Sequence, residues 1–254
     1  MSDNWKNASL NRHKAHDWVR RMEEEQLSTI ENSIQYSKKY LNFVLPDIDL
    51  VKDKDTVIHV VDMTAEDAVM QYAGSGKTCV LNFASYKNPG GRFYDGAMAQ
   101  EEALCHVSTL YPVLRSFASE YSRRLSHLNN GLYNEDFIYS PDIIFFKDGK
   151  MQKCDVLTYA APNMMRKAKT KEYHDVLCRR MLNAFVIPYL HGCENVILGA
   201  WGCGVFCNNP ITVAEIWKLY EDGLDGLYSN IVHPVPTMKG TKNYDAFMRV
   251  HIGG

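Results

Sequence analysis

The chain has 254 residues, of which 46% are hydrophobic and 23% are charged, and its formal net charge is -2. These values fit a soluble globular protein and do not favour a binder of duplex nucleic acid, which usually carries a surplus of basic residues. No apolar run is long enough to span a membrane, and seven cysteines without a Cys-x-x-Cys pair indicate reduced thiols. We therefore expect a cytoplasmic protein with no membrane contact and no direct binding of duplex nucleic acid.

Helical and strand patterns alternate along the chain. Charged and apolar positions repeat at helical spacing from about 11 to 45, which predicts an N-terminal helical segment. β-branched and apolar runs predict strands at 56–61, 78–84, 137–139, 143–146, 154–159, 194–200 and 228–232. Helical patterns lie between them, at 64–73, about 100–118, 171–190 and 210–221. The pattern of 121–153 does not determine the order of its elements beyond the two short strands.

This alternation predicts an α/β fold whose sheet is covered by helices on both faces. We predict one compact domain over residues 56–254, preceded by a helical extension over residues 1–55. Ligands of such sheets bind at loops beyond the carboxyl ends of the strands. Three loops satisfy this condition, at 84–99, 160–170 and 200–209.

The first of these loops contains the most informative residues. The turn Asn88-Pro89-Gly90-Gly91-Arg92 follows a strand and precedes Gln100-Glu101-Glu102 at a predicted helix start. Glycines allow the backbone to approach a ligand closely, and a helix start offers free N–H groups to anions. Two acids beside such a surface indicate acid/base chemistry on a phosphate-bearing molecule. An ordinary turn before an acidic first helical turn would have the same residues, and from these alone that interpretation is simpler.

The other two loops offer a phosphate site and a cleft wall. Gly202-Cys203-Gly204-Val205-Phe206 follows a strand, and its alternating glycines can expose successive N–H groups as an anion-binding nest. The alternative is a structural turn with Phe206 in the core. Ala160-Ala161-Pro162-Asn163 either helps to form the cleft or simply ends a strand. Asn82 and Asn88 flank the first loop, where each amide could contact a ligand or bond nearby backbone.

The segment from Gly90 to Glu102, with its continuation to Pro112, resembles the Gly-Gly-Gly…Gln-Glu-Glu signature of bacterial-type poly(ADP-ribose) glycohydrolases. That family is built on the macrodomain, an α/β fold that binds ADP-ribose. The resemblance extends over roughly 56–235 and implies a macrodomain-like three-layer α/β/α sandwich with a mixed, mostly parallel sheet. It also implies hydrolysis of ribose–ribose O-glycosidic bonds in poly(ADP-ribose), without a cofactor or a metal, by a chain that we expect to be a monomer.

The resemblance assigns roles to individual residues. Glu102 is the expected general acid/base, and Glu101 is expected to hold ribose hydroxyls. Asp62 could accept a hydrogen bond from the adenine amino group or cap a helix. The remaining expected substrate contacts are Asn88, Gly90, Gly91, Gln100, Gly202, Cys203, Gly204, Val205 and Phe206.

Arg92 stands where the family has its third glycine. Its planar guanidinium could pair with a substrate phosphate, crowd the cleft against the polymer, or point to solvent. Two further functions therefore stay open: a non-catalytic reader of ADP-ribose, and a hydrolase that removes single ADP-ribose units from protein or nucleic acid.

Overall fold

A computed structural model describes residues 2–165, 171–238 and 240–253. The last part of the candidate loop 160–170 lies outside the described residues. The helices of the described chain are α1 Ser2–Glu25, α2 Leu27–Tyr36, α3 Ala65–Tyr72, α4 Gln100–His106, α5 Leu110–Arg115, α6 Ala118–Arg124, α7 Lys171–Leu190, α8 Pro210–Gly223 and α9 Lys242–His251. Its strands are β1 Lys38–Tyr40, β2 Val57–Val61, β3 Thr78–Phe83, β4 Phe137–Lys147, β5 Lys150–Tyr159, β6 Asn195–Ile197 and β7 Asn230–Pro234.

The strands form one sheet in the order β1-β4-β5-β3-β6-β7-β2. The five strands from β5 to β2 in this order run parallel to one another. β4 is antiparallel to β5, and β1 is antiparallel to β4. The predicted mixed, mostly parallel sheet is therefore confirmed.

Side chains on the two faces of the sheet enter two separate cores. In the central strand β3, Leu81 packs in a cluster with Phe185 of α7 and Trp217 of α8. The neighbouring Val80 points to the opposite face, in a cluster with Val19 of α1 and Val69 of α3. Burial of each such side chain stabilises the fold by about 1.5–3 kcal/mol. Helices thus cover both faces, which confirms the predicted three-layer sandwich.

The N-terminal segment differs from the single helix predicted over 11–45. The helix is broken at Gln26, and Lys38–Tyr40 forms β1, an edge strand paired with β4. The ring of Tyr40 stacks on that of Phe137 in β4, with centroids 4.5 Å apart. The prediction of helix up to residue 45 is wrong because its local spacing competes with pairing to a strand about 100 residues away. The division of the chain at residue 55 stays a prediction.

The helix predicted over about 100–118 is also divided. α4 ends at His106 and α5 begins at Leu110, because β4 takes the backbone groups between them: Thr109 N–H donates to the Ile144 carbonyl at 3.0 Å. The two short strands predicted around Pro141 are one strand, β4, with an irregular register between Ser140 and Ile143. Helix α9 was not predicted. None of the described helices combines the length and apolarity needed to cross a membrane.

Candidate active site

The three candidate loops follow neighbouring parallel strands. β3 pairs with β5 on one side and with β6 on the other, so the loops after these strands emerge at one edge of the sheet. Two of the loops are also bonded to each other. Met164 N–H donates to the Phe206 carbonyl at 2.8 Å, and the Asn208 amide donates to the Pro162 carbonyl at 3.1 Å.

Glu102 lies in the first turn of α4 and is only 6% exposed. Its Oε1 accepts the N–H of Arg92 at 2.9 Å, and its Oε2 accepts the N–H of Ala99 at 3.0 Å. The second contact returns to the residue before the helix, as in a capping box. In the described part of the chain no basic side chain pairs with this carboxylate. Backbone donors alone therefore fix its position, which suits a group that gives and takes a proton.

Glu101 is 3% exposed and lies on the sheet side of Glu102. Its Oε1 accepts the Asn82 amide N–H at 3.2 Å, and its Oε2 accepts the Ser85 N–H at 2.7 Å. Burial raises the pKa of Glu101 to about 8; the Ser85 N–H opposes this rise, and the charge of Glu102 adds to it. Near neutral pH Glu101 therefore retains a proton.

Gln100 and Asn82 attach the start of α4 to the sheet. The Gln100 amide accepts the Phe83 N–H at 2.8 Å and donates to the Leu81 carbonyl at 2.9 Å. The Asn82 amide N–H also reaches Thr158 Oγ1 in β5 at 3.3 Å. Both amides thus position the acids from the side of the sheet. The predicted substrate contact of Gln100 stays a prediction.

The two glycines of the turn have left-handed backbone conformations, with φ of +69° at Gly90 and +65° at Gly91. A Cβ at Gly90 would lie 2.5 Å from the ring of Tyr111. A Cβ at Gly91 would lie 2.4 Å from Oε1 of Glu102 and 3.0 Å from Oε2 of Glu101. The turn therefore passes directly against both carboxylates, and only glycine permits this approach.

Asn88 and Arg92, at the two ends of this turn, are exposed. The Asn88 carbonyl accepts the Gly91 N–H at 3.1 Å, which closes the turn, and the predicted ligand contact of its side chain stays a prediction. The Arg92 side chain is 72% exposed, and its Nε lies 3.0 Å from Oδ2 of Asp95. Of the three possibilities for Arg92, the structure shows a guanidinium directed to solvent, while its backbone N–H binds Glu102.

The loop from Gly202 to Phe206 presents backbone donors. The N–H groups of Gly202, Gly204, Val205 and Phe206 have no acceptor within the described residues. Gly204 and Val205 are exposed, and Cys203 and Phe206 are half-buried. Successive unpaired N–H groups at a loop are suited to an anion such as a diphosphate.

Asn208 is a site residue that the sequence did not indicate. It is 3% exposed, and its amide donates to the carbonyls of Pro162 and Gly202, at 3.1 and 3.2 Å. Its Oδ1 accepts the hydroxyl of Tyr173. It thereby joins the glycine loop to the loop after β5. In other sequences, an asparagine just after such a glycine loop could be used to predict a residue that joins two loops of the site.

An aromatic wall was also missed. The ring of Tyr86 stacks on that of Tyr133 with centroids 4.2 Å apart and an interplanar angle of 9°. Phe206 lies 6.2 Å from Tyr133. Tyr86 follows β3, whereas Tyr133 lies within 121–153, where the sequence pattern did not determine the order of the elements. No sequence pattern therefore predicted that these two rings would stack.

Asp62 lies at the end of β2, away from the pair of acids along the sheet. Its Oδ1 accepts the Thr237 N–H and its Oδ2 accepts the Thr237 hydroxyl, both at 2.7 Å. These two bonds lower its pKa. The carboxylate fixes the turn after β7, and its predicted contact with adenine stays a prediction.

The shifted pKa of Glu101 predicts a pH-dependent stability. Between the ordinary value of 4.5 and about 8 the folded protein holds a proton that the unfolded chain has released. Stability therefore falls as the pH rises through this window, by about 4 kcal/mol. We expect Glu101→Gln to remove most of this slope and to be the more stable protein at pH 8.

Urea unfolding of both proteins between pH 5 and pH 8 measures this difference. Glu66→Gln, in the first turn of α3, is the matched control and should retain the wild-type slope. Equal slopes in wild type and Glu101→Gln would show that Glu101 ionises normally in the folded protein.

Comparison with known proteins gives a consistent result. A family model described as the microbial-type PARG catalytic domain matches residues 13–148. No curated protein gives a significant match. Poly(ADP-ribose) glycohydrolase (PARG) from Thermomonospora curvata is 27% identical with a TM-score of 0.85, covering 95% of this chain and 99% of that chain.

Two solved structures with bound ligands also match. The Thermomonospora curvata protein bound to the inhibitor ADP-HPD is 27% identical with a TM-score of 0.84, covering 95% of this chain and 99% of that chain. PARG from Deinococcus radiodurans in complex with ADP-ribose is 26% identical with a TM-score of 0.78, covering 88% of this chain and 97% of that chain.

Proposed function

Since this chain belongs to the family of microbial-type poly(ADP-ribose) glycohydrolase catalytic domains, and is therefore a hydrolase of poly(ADP-ribose), we propose that Glu102 is its general acid/base. Glu101 holds hydroxyls of the ribose whose bond is cleaved. The observation that carries this proposal is the position of the two buried carboxylates against the backbone of Gly91. A ribose placed over this turn would meet both acids at once.

The reaction needs two proton transfers through the same carboxyl group. Glu102 donates a proton to the departing 2′-oxygen as the glycosidic bond breaks, and positive charge develops on the ribose ring. The resulting carboxylate takes a proton from water, and the hydroxide adds to the anomeric carbon. The Arg92 and Ala99 N–H groups bond to Glu102, so its carboxylate needs no rearrangement between the two steps.

The glycine loop from Gly202 to Phe206 is the proposed diphosphate site. Its unpaired N–H groups are hydrogen-bond donors for a diphosphate and require no basic side chain. This is consistent with a chain that has a net charge of -2 and no basic surplus. Recognition of an anionic polymer is then local to one ADP-ribose unit. Phe206, with the Tyr86–Tyr133 stack behind it, forms an apolar wall against which a ribose can pack.

The test of this function is the release of ADP-ribose from purified poly(ADP-ribose) by the full chain. We expect ADP-ribose as the product, with chains shortened over time. Binding of ADP-ribose without release would show a reader instead. Release only from singly modified protein or nucleic acid, with the polymer left intact, would show a hydrolase of the mono-ADP-ribosyl linkage.

Removing the Arg92 side chain is expected to have little effect. Because this guanidinium is exposed and contacts Asp95, Arg92→Ala should change kcat/KM for the polymer by less than about threefold. Asp95→Ala removes the other partner and serves as the matched control. A fall of about tenfold or more in Arg92→Ala alone would instead assign Arg92 to a substrate phosphate.

We further propose that the enzyme acts as a cytoplasmic monomer. The seven cysteines are all free thiols, as in a reducing compartment. Light scattering during gel filtration should give the mass of one chain, with and without ADP-ribose.

A further inference from the structure

Three titratable side chains form a buried cluster outside the cleft. Glu221 of α8 lies between His233 of β7 and His251 of α9, and each side chain is at most 2% exposed. Its Oε1 lies 2.5 Å from Nε2 of His233, and its Oε2 lies 3.1 Å from Nε2 of His251. No residue of this cluster has a role in the function proposed above.

The hydrogen bonds of His233 determine which of its ring nitrogens carries the proton. The backbone N–H of Gly199 donates to His233 Nδ1 at 3.3 Å, so this nitrogen offers its lone pair. A neutral imidazole then carries its single proton on Nε2, which faces the carboxylate of Glu221. Burial lowers the pKa of His233, against the opposing effect of Glu221, and keeps the ring neutral.

Glu221 is the matching acceptor. Burial alone would raise its pKa, but the contacts with His233 and His251 outweigh this effect and lower it. His251 is oriented by its Nδ1, which donates to the Phe247 carbonyl at 3.0 Å. The carboxylate is therefore held by the Nε2–H of His233, whereas Nε2 of His251 lies beside it without a hydrogen-bond partner among the described residues.

The same hydrogen bonds argue against a metal ion in this cluster, although three potential ligands lie together. An ion on Nε2 of His233 would require the ring proton on Nδ1. A proton on Nδ1 would face the Gly199 N–H, which needs a lone pair there to accept it. With its proton on Nε2, His233 offers no lone pair to an ion placed beside Glu221.

His233 reaches the base of the glycine loop. Gly199 ends the stretch after β6, has φ of +86°, and begins the segment that leads to Phe206. Its N–H is held by His233, and its carbonyl accepts the Trp217 indole N–H at 3.0 Å. A Cβ here would lie 2.9 Å from the Pro234 carbonyl. Both backbone groups of Gly199 are thus fixed by side chains from the core.

We propose that His233 is a positioning residue for substrate, which fixes the start of the glycine loop through Gly199 while Glu221 holds it in the required tautomer. This inference rests on the proposed role of that loop as the diphosphate site. Its consequence is that α8, through Glu221, contributes to the affinity for ADP-ribose, although Glu221 is not among the proposed substrate contacts.

Two amide variants separate the two contacts of His233. In His233→Asn the amide oxygen can stand near the position of Nδ1 and accept the Gly199 N–H, while the contact with Glu221 is lost. In His233→Gln the longer side chain can reach Glu221, while the acceptor for Gly199 is lost. Both variants carry a side-chain amide. A difference in their affinity for ADP-ribose therefore reports which of the two contacts of His233 is needed.

We expect His233→Gln to raise the Kd for ADP-ribose and the KM for the polymer by about five- to tenfold, with kcat within about twofold of wild type. His233→Asn should restore most of the affinity. Amide hydrogen exchange at Gly199, measured without ligand, should be faster in His233→Gln than in His233→Asn. In the ¹⁵N NMR spectrum of wild type, Nδ1 of His233 should show the shift of an unprotonated nitrogen.

Equal Kd values in the two variants would overturn this inference alone, as would a proton on Nδ1 in the wild-type spectrum. A parallel loss of kcat and of thermal stability in both variants would show a purely structural histidine. Failure of wild type to bind ADP-ribose would overturn the proposed role of the loop, and the inference with it.

Discussion

Replacing Glu102 by glutamine is expected to reduce the release of ADP-ribose from the polymer by about 10³-fold or more, because the titrating group is removed. The Kd for ADP-ribose should change by less than about threefold, since glutamine preserves the size of the side chain. Its amide can accept only one of the two N–H groups that Glu102 now binds. A loss of stability of about 1 kcal/mol should accompany the substitution.

Turnover of purified poly(ADP-ribose) and calorimetric binding of ADP-ribose measure the two effects separately. Glu66→Gln, also in the first turn of a helix, is the matched control and should leave both unchanged. Activity of Glu102→Gln within about tenfold of wild type would assign acid/base catalysis to another group. Loss of binding in parallel with turnover would show that Glu102 shapes the site and does not transfer the proton.

Placing a methyl group at Gly91 is expected to lower turnover about 100-fold or more. The added Cβ would lie 2.4 Å from Oε1 of Glu102 and 3.0 Å from Oε2 of Glu101, so Gly91→Ala must displace a carboxylate. A misplacement of about 1 Å at a reacting group can cost this factor in rate. The variant also loses about 1 kcal/mol of stability, because alanine disfavours a φ of +65°.

Gly149→Ala separates the backbone effect from the steric one. Gly149 has φ of +73° in the turn between β4 and β5, and a Cβ there would meet nothing within 4 Å. It should lose a similar amount of stability, measured by urea unfolding, and keep full activity. Equal activity of the two variants would mean that the turn at Gly91 does not determine the position of Glu102.

Local chemistry explains which elements were predicted well. Thr64 accepts the Asp67 N–H as the cap of α3, and Asn209 caps α8 in front of Pro210. The buried strand β3 follows its continuous apolar run, and α7 is observed over 171–190 as predicted. In each case the determining interactions lie within a few residues of one another, where sequence patterns report them.

The elements that were missed depend on distant partners. β1 exists because β4 offers an edge to pair with, and α4 ends early because β4 binds the Thr109 backbone. In the site, the stack of Tyr86 on Tyr133 joins residues 47 positions apart. The spacing of residues along the chain does not predict such long-range contacts.

By itself the sequence determined the family, the α/β class and the pair of acids behind a glycine turn, because these follow from short motifs and local periodicity. Only the tertiary structure decided how the acids are held: Glu102 by the Arg92 and Ala99 backbone, and Glu101 by Asn82 and Ser85. It alone brought His233 to Gly199. The physical reason is that hydrogen bonds and burial act over a few ångströms in space, between groups that the sheet order places together.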